Sequence, residues 1–333
     1  MATYYKKRRR NKNIKRGIVI VIIVILLLIA GLFAATNVLY KTAMIRDDYD
    51  LVYEDKDKLS QNTVYVTELE GSDLSEVAFS EDDKIVEKWG LLNNRNFGLT
   101  GFAHLQPNYT NKWAVVVHGY KSNSQDMSEE GSIFFNDGYN VLVVDNEYHG
   151  QSEGDHISMG MYDSENIVQW CWQIVYQDSD AEIALYGLSM GAATVMMASS
   201  PDLKLPENVK VVVEDSGYEA MEDIFVYRLK AEYGLPRFPL INCVDALNYQ
   251  KHGYHFEDRS PIEAVSKTEL PMMFIHGTAD DYVPFTSLDV LYSTHSGDKE
   301  KYVVEGATHG ETLTVAGDVY GEKVLAFVNR YIK

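Results

Sequence analysis

The chain has 333 residues, of which 46 % are hydrophobic and 24 % are charged, so it is long enough to bury the core of one large domain. Its net charge is −19; eight basic residues and no acidic ones lie in the first sixteen positions, which leaves −27 for the remainder. A domain of that charge is repelled by nucleic acid and by anionic lipid surfaces, so nucleic-acid binding is excluded as its role.

An apolar segment follows the basic residues. Residues 17–35 are nineteen uncharged residues, mostly Ile, Val and Leu. About 20 apolar residues span a bilayer as a helix, whereas the apolar region of a cleaved signal peptide has roughly 7–15 and ends at a small-x-small site. The sequence favours an uncleaved transmembrane signal anchor, residues 17–39, after a basic cytoplasmic tail, residues 1–16. Because cations precede this helix and almost none follow it, we expect a single-pass protein of the cell membrane with the remainder outside.

The next segment is harder to interpret. Residues 40–62 are polar and charge-mixed, which predicts a juxtamembrane stalk. A large domain is then expected over residues 63–333. In its first part, residues 64–66 favour a strand and residues 85–92 favour a helix.

From Trp113 onward the pattern is regular. Short unbroken apolar runs bounded by turn residues indicate strands buried on both faces of a parallel sheet. These runs are residues 113–117, 141–144, 183–186, 209–213, 272–275 and 302–304. Apolar residues at three- and four-residue spacing predict helices between them and at the end, for example over residues 161–176 and 318–332. This alternation predicts an α/β protein with a doubly wound, mostly parallel sheet, whose ligands bind beyond the carboxyl ends of the strands.

A glycine-flanked serine lies at one of those ends. Residues 187–191 read Gly-Leu-Ser-Met-Gly, between the strand at 182–186 and a helix of small residues. Gly187 and Gly191 allow a sharp turn that exposes the side chain of Ser189, where larger residues would clash with the strand or the helix. The context predicts a nucleophile elbow.

A serine nucleophile needs a base, and the base needs an acid to fix its tautomer and stabilise its charged form. His309 follows the last strand, and Asp280 follows the strand at 272–275. Asp215 also follows a strand, and Asp281 is the neighbour most easily confused with the acid. We favour Asp280, because the proline that ends its motif suits the first turn of a helix and leaves this carboxylate in the loop.

Backbone donors for a negatively charged oxygen are also predicted. Gly119 follows a strand and allows the N–H of Tyr120 to point into the site, with the N–H of Met190 as its partner. For His118, a role in supporting this loop is favoured over a catalytic one.

From residue 99 to residue 333, about 70 % of the protein, the chain resembles the α/β-hydrolase superfamily, in particular its esterases and S33-type serine peptidases. The resemblance implies the α/β-hydrolase fold. It places the nucleophile on Ser189, the acid on Asp280, the base on His309 and the oxyanion donors on Tyr120 and Met190.

The sequence departs from the family pattern at Glu147. Family members commonly carry arginine there, in the loop after the strand at 141–144, where it supports the loop. Residues 218–260 form an aromatic-rich insertion at the place where the family inserts a cap. These aromatics either line a pocket for an acyl or aryl group or only pack the cap onto the sheet.

Other reactive side chains carry no function in this interpretation. Cys171 and Cys243 are expected to be core cysteines rather than a disulfide. The nine histidines show no metal-ligand spacing, so neither a metal nor another cofactor is expected. His149 and His156 are interpreted as ordinary loop residues.

The sequence therefore predicts a membrane-anchored, extracytoplasmic serine hydrolase that cleaves carboxylic esters of small molecules through an acyl-enzyme. The first alternative is a serine peptidase acting on short peptides with the same triad. The second is a catalytically silent surface-binding module that keeps the fold. Dehalogenase chemistry is disfavoured because it would need aspartate in place of Ser189.

Overall fold

A computed structural model of the chain describes residues 1–46, 65–68 and 86–333. Most of the predicted stalk, residues 47–62, lies outside the described residues.

One nine-stranded sheet organises the protein, with strand order β1-β2-β3-β5-β4-β6-β7-β8-β9. Strands β4 to β9 run parallel, whereas β1, β2 and β3 are antiparallel to their neighbours. The strands are β1 Tyr65–Glu68, β2 Val86–Leu92, β3 Gly98–His104, β4 Lys112–Val117, β5 Asn140–Val144, β6 Glu182–Leu188, β7 Val209–Asp215, β8 Met272–Gly277 and β9 Lys299–Val304.

Ten α-helices accompany the sheet in the described part of the chain. They are α1 Ala2–Met44, α2 Ser128–Asn136, α3 Asp163–Gln177, α4 Met190–Ala198, α5 Met221–Tyr233, α6 Leu240–His252, α7 Pro261–Lys267, α8 Thr286–Thr294, α9 Thr312–Ala316 and α10 Asp318–Val328. Helices α5 and α6 form a helical pair between β7 and β8, within the predicted insertion.

Both faces of the sheet are buried, because successive side chains of a strand point to opposite sides. In β4, Val115 and Val117 pack in a core with residues of α3, α4 and α8, whereas Val116 packs in a second core with α2 and α10. A continuous apolar run is therefore what a central strand of this doubly wound α/β sheet requires. This is the architecture predicted from the sequence.

The region before β4 differs from the prediction in one element. Residues 85–92 are predicted as a helix, but Val86–Leu92 is the strand β2, paired along its whole length with β3. The apolar residues recur at three- and four-residue spacing, which matches a helix, yet pairing with β3 buries Trp89 and Leu91 in the core. Tertiary pairing outweighs local periodicity here. The strand predicted over 64–66 overlaps β1.

The N-terminal helix is longer than the predicted anchor. Its segment Lys12–Met44 has 33 residues and a mean hydropathy of 3.5 in its most apolar window, and none of that window is buried in the protein. A helix of this length and composition is compatible with a membrane anchor or a signal sequence. At the start of the predicted stalk, α1 continues to Met44, and both Tyr40 and Met44 are buried against the domain.

Candidate active site

The turn between β6 and α4 holds Ser189 in a strained conformation. Its backbone has φ 57° and ψ −114°, a region that residues other than glycine rarely adopt. A Cβ atom on Gly187 would lie 2.2 Å from the carbonyl oxygen of Gly191, and one on Gly191 would lie 2.1 Å from that of Val117. Both glycines are therefore required by close backbone approach, as expected for an elbow.

Three predicted side chains lie in one hydrogen-bonded line. The Ser189 Oγ atom is 2.8 Å from His309 Nε2, and His309 Nδ1 is 2.7 Å from Asp280 Oδ2. They come from the loops after β6, β9 and β8, at the carboxyl edge of the sheet. With Nδ1–H donating to the carboxylate, Nε2 is the acceptor that faces the serine hydroxyl.

Asp280 is held as a carboxylate. Its Oδ1 accepts hydrogen bonds from the backbone N–H groups of Tyr282 and Val283, both at 2.9 Å, and His276 Nε2 lies 3.2 Å from Oδ2. Burial acts to raise the pKa of Asp280, but hydrogen bonds from His276 and His309 outweigh it and hold the pKa well below its ordinary value. The group facing His309 is therefore charged at neutral pH.

The two competing acids are placed elsewhere. Asp215 is buried, and its carboxylate accepts hydrogen bonds from Thr312 at 2.5 Å and Tyr320 at 2.6 Å. Asp281 is exposed. Neither of these carboxylates contacts His309, so the structure brings Asp280 to the histidine and leaves Asp215 and Asp281 apart from it.

The predicted oxyanion donors come from adjacent strands. Val117, the last residue of β4, pairs with Gly187 of β6, so the loop carrying Tyr120 lies beside the loop carrying Ser189. Met190 is the first residue of α4, where backbone N–H groups have no partner within the helix. Within the described residues, neither the N–H of Tyr120 nor that of Met190 is bonded to a protein acceptor.

His118 supports this loop. Its Nδ1 donates to the carbonyl of Gly119 at 2.7 Å, and its Nε2 accepts from the N–H of Asn146 at 3.0 Å. Burial lowers the pKa of His118, so the ring is neutral, as an Nε2 acceptor requires. His149 makes similar bonds, to the carbonyl of Glu147 and from the N–H of Lys121.

Glu147 has a partner that the sequence did not indicate. Its buried carboxylate forms an ion pair with Arg95 and accepts a hydrogen bond from Asn93 at 2.8 Å. The Arg95 guanidinium also lies 3.9 Å from the ring centre of Tyr162. The positive charge that the family places at position 147 is thus supplied by Arg95, in the turn between β2 and β3. The ion pair still anchors the loop that follows β5.

A cavity of about 270 Å³ opens beside Ser189. Its walls are mostly apolar and come from the helical pair, from loops at the carboxyl edge of the sheet and from the end of α1. They include Met159, Tyr218, Ile224, Leu229, Val244 and Tyr282. Enclosed apolar walls with a few polar groups are typical of small-molecule sites.

Sequence reasoning missed four residues that contribute to this site. His276 contacts Asp280, and the spacing of four residues between them was the available signal. Tyr282 stacks on His309 with ring centres 4.9 Å apart, next to Asp280 in the chain. Leu39 and Ala43 of α1 line the cavity, and nothing in the local sequence shows which domain surface they contact.

One group in the described residues has ligands close enough for a metal ion: Asp155, His156 and His252. The two imidazole rings are stacked 3.5 Å apart at an angle of 15°, so their nitrogen lone pairs do not converge on one point. Each Nε2 atom is already bonded to a tyrosine hydroxyl, of Tyr254 or Tyr40. The arrangement suits a polar junction better than a metal site. Cys171 and Cys243 are both free.

Comparisons with known proteins agree with this architecture. Residues 110–214 match the family model described as serine aminopeptidase, S33. The uncharacterized protein YqkD of Bacillus subtilis is 29 % identical over 227 residues, 68 % of this chain and 74 % of that protein. The uncharacterized protein YfhR of Escherichia coli K12 is 23 % identical, over 66 % of this chain and 71 % of its own length.

Solved structures show the same fold. The esterase Pf2001 of Pyrococcus furiosus superposes with a TM-score of 0.63 at 19 % identity, covering 80 % of this chain and 96 % of that one. Acetyl xylan esterase 1 from Thermoanaerobacterium superposes with a TM-score of 0.57 at 13 % identity, covering 90 % and 93 %. At these identities the likeness establishes the α/β-hydrolase fold.

Proposed function

We propose that this chain, which has the α/β-hydrolase fold, is a membrane-anchored, extracytoplasmic serine hydrolase that cleaves carboxylic esters. Ser189 is the nucleophile, His309 the general base and Asp280 the acid. The single observation that carries this proposal is the unbroken hydrogen-bonded line from the Ser189 hydroxyl through His309 to Asp280, at the mouth of an apolar cavity.

The reaction follows from this geometry. His309 Nε2 takes the proton of Ser189 as Oγ attacks the ester carbonyl, and the Asp280 carboxylate stabilises the imidazolium that forms. The N–H groups of Tyr120 and Met190 hold the oxygen that becomes negative. His309 then protonates the departing alcohol, and a water molecule attacks the acyl-enzyme by the same route in reverse.

The cavity supports an ester with an apolar acyl group. Among the described residues that line it, Glu232 is the only acidic one, and its carboxylate forms an ion pair with Arg228. An aminopeptidase needs a free acidic group for the charged amino terminus of its substrate, and Glu232 is already occupied. The solved structures of the same fold include an esterase and an acetyl xylan esterase, which agrees with ester chemistry.

A second candidate is a serine peptidase acting on short peptides. It is favoured by the description of the matching family model, serine aminopeptidase. Peptide hydrolysis would use the same three residues, but an amine leaves less readily than an alcohol and depends more strictly on protonation by His309.

The proposed location rests on charge and hydropathy. Eight cationic residues precede the apolar part of α1, and this asymmetry supports a cytoplasmic N-terminus with the hydrolase domain outside.

The test uses the full chain in detergent. We expect a fluorophosphonate probe to label the wild type and the control Ser293→Ala, an exposed serine, but not Ser189→Ala, which should keep its thermal unfolding transition. We expect kcat/KM for short-to-medium acyl esters to exceed that for matched aminoacyl amides at least tenfold. Undiminished turnover by Ser189→Ala would refute the nucleophile, and faster amide cleavage would favour the peptidase.

A further inference from the structure

The end of α1 is part of the wall of the catalytic cavity. Leu39, Thr42 and Ala43 line the same space as Ser189. The segment that the sequence assigns to anchoring therefore reaches the site where the ester would be cleaved.

This end of the helix is packed firmly against the domain. Thr36, Tyr40 and Met44 recur at four-residue spacing on one face of α1, and each is at most 6 % exposed. The hydroxyl of Tyr40 is 2.5 Å from Nε2 of His252 in α6, and the carbonyl of Met44 accepts a hydrogen bond of 2.8 Å from the N–H of Ile157. The last turns of α1 are thus fixed with respect to the cavity.

The same turns hold the loop that carries a proposed oxyanion donor. The hydroxyl of Tyr120 lies 3.0 Å from the carbonyl oxygen of Thr42 and 2.9 Å from that of Ala43, and donates to them. Lys121 Nζ donates to the carbonyl of Thr42 at 3.2 Å. These carbonyls are at the carboxyl end of α1, where helix carbonyls lack partners and cations are favourable.

The cavity lies at a short distance from the apolar part of α1. From residue 35, after which the helix sequence becomes more polar with Thr36 and Asn37, to Leu39 the helix rises by about 6 Å, at 1.5 Å per residue. The polar layer on each side of a bilayer is about 5–8 Å thick. Since α1 continues without a break to Met44, no linker separates the domain from the membrane surface. The cavity wall at Leu39 is therefore at the depth of the lipid headgroups.

We propose that this cavity takes a single acyl chain from the bilayer, with the last turns of α1 as part of its wall, and that the substrate is a single-chain ester lipid. This inference rests on the proposed function. A cavity of about 270 Å³ lies just below the usual range of ligand sites, about 300–1,000 Å³, so it has room for part of one acyl chain and not for two. Ser189 Oγ bonds to the acyl carbon as the bond to the lipid alcohol breaks; the serine proton passes through His309 to that alcohol, and water releases the fatty acid.

The first test needs no variant. The full chain, reconstituted in phosphatidylcholine vesicles, is treated with a hexadecyl fluorophosphonate that carries a diazirine on its chain, and is then irradiated. Attachment to Ser189 tests the proposed function. Cross-links to the part of α1 around Leu39 and Ala43 are the result expected for the acyl wall. Labelling of Ser189 with cross-links confined to other segments would overturn the inference about the acyl wall but would still support the proposed serine hydrolase function.

The second test compares two neighbouring residues of α1. Leu39 lines the cavity, whereas Val38 is 63 % exposed. The measured quantity is the ratio of kcat/KM for monohexadecanoylglycerol in vesicles to kcat/KM for a water-soluble butyrate ester. We expect Leu39→Trp to lower this ratio at least tenfold and Val38→Trp to leave it unchanged. Equal ratios in the two variants would contradict the inference, as would a wild type that cleaves the butyrate but not the vesicle substrate.

Discussion

The ring of Tyr282 lies against that of His309, with centroids 4.9 Å apart and 23° between the ring planes. The guanidinium of Arg228 lies 3.8 Å from the centre of the same tyrosine ring. Because the two rings are stacked, Tyr282 restricts the plane of the imidazole. It acts through His309 and is therefore a positioning residue.

Replacing this ring tests that role. We expect Tyr282→Leu to lower kcat for a soluble butyrate ester about tenfold, equivalent to about 1.4 kcal/mol. Tyr282→Phe keeps the aromatic face and should stay within threefold of the wild type. Steady-state kinetics separate kcat from KM, since Tyr282 also lines the cavity. An equal loss in both variants would show that the hydroxyl, not the ring face, matters.

The assignment of the acid can be tested with three amide variants. Asp280→Asn should lower kcat by about 10⁴-fold, because the tautomer of His309 is no longer fixed. Asp281→Asn, at an exposed position, should stay near the wild type. Asp215→Asn should cost far less activity than Asp280→Asn, as its bonds to Thr312 and Tyr320 are structural. A larger loss for Asp215→Asn, measured on folded protein, would move the acid to that position.

A charge swap tests the loop support at Glu147. We expect Glu147→Arg to lower the free energy of unfolding by about 3 kcal/mol, because two cations would then meet in a buried site. Combining it with Arg95→Glu should recover at least half of that loss. Urea unfolding of the single and double variants measures the coupling. Strictly additive losses would mean that the Arg95–Glu147 pair does not anchor the loop.

Glu130 gives a pH dependence of stability. It is 8 % exposed, and within the described residues its Oε2 atom has no hydrogen-bond partner. Burial raises the pKa of Glu130 from 4.5 to about 7. Because the folded pKa is above the unfolded one, this contribution to stability is complete below about pH 4.5 and is lost as the pH rises through 7.

Replacing Glu130 by glutamine removes this titration. The stability of the wild type relative to Glu130→Gln should fall by on the order of 2 kcal/mol between pH 5 and pH 8. Thermal unfolding of both proteins across this range measures the difference. Parallel stability curves would show that Glu130 is ionised in the folded protein.

Membrane topology has a direct test in cells. Protease added to intact cells should remove the α/β domain and leave a short fragment that contains the basic residues and the apolar part of α1. This outcome follows from the cations that precede the helix. Protection until the cells are lysed would reverse the proposed orientation.

Much of the site could be predicted because parallel strands bring their carboxyl ends to one edge. Ser189, Asp280 and His309 are far apart in the chain, yet each lies in the loop or turn after a strand that is visible as a short apolar run. Local sequence therefore determines both the strands and the loops that carry chemistry.

The features that the sequence did not predict share one physical reason, because each depends on contacts between segments that are distant in the chain. Strand β2 forms because β3 pairs with it, although its own apolar spacing matches a helix. Arg95 meets Glu147 through the turn between β2 and β3. The packing of Tyr40 and Met44 depends on the surface of α6 and on the loop at Ile157. No periodicity in the separate segments carries this information.

The conformation of Ser189 has a consequence for how sequence change acts on this protein. A positive φ at a residue other than glycine costs about 1–3 kcal/mol, and glycine would adopt it without that strain. Random substitution filtered only for thermal resistance should thus enrich Ser189→Gly, a variant without a hydroxyl to form an acyl-enzyme. At this position, higher thermal stability and catalytic turnover require different residues. A screen that scores melting temperature alone therefore selects variants that lack the nucleophile.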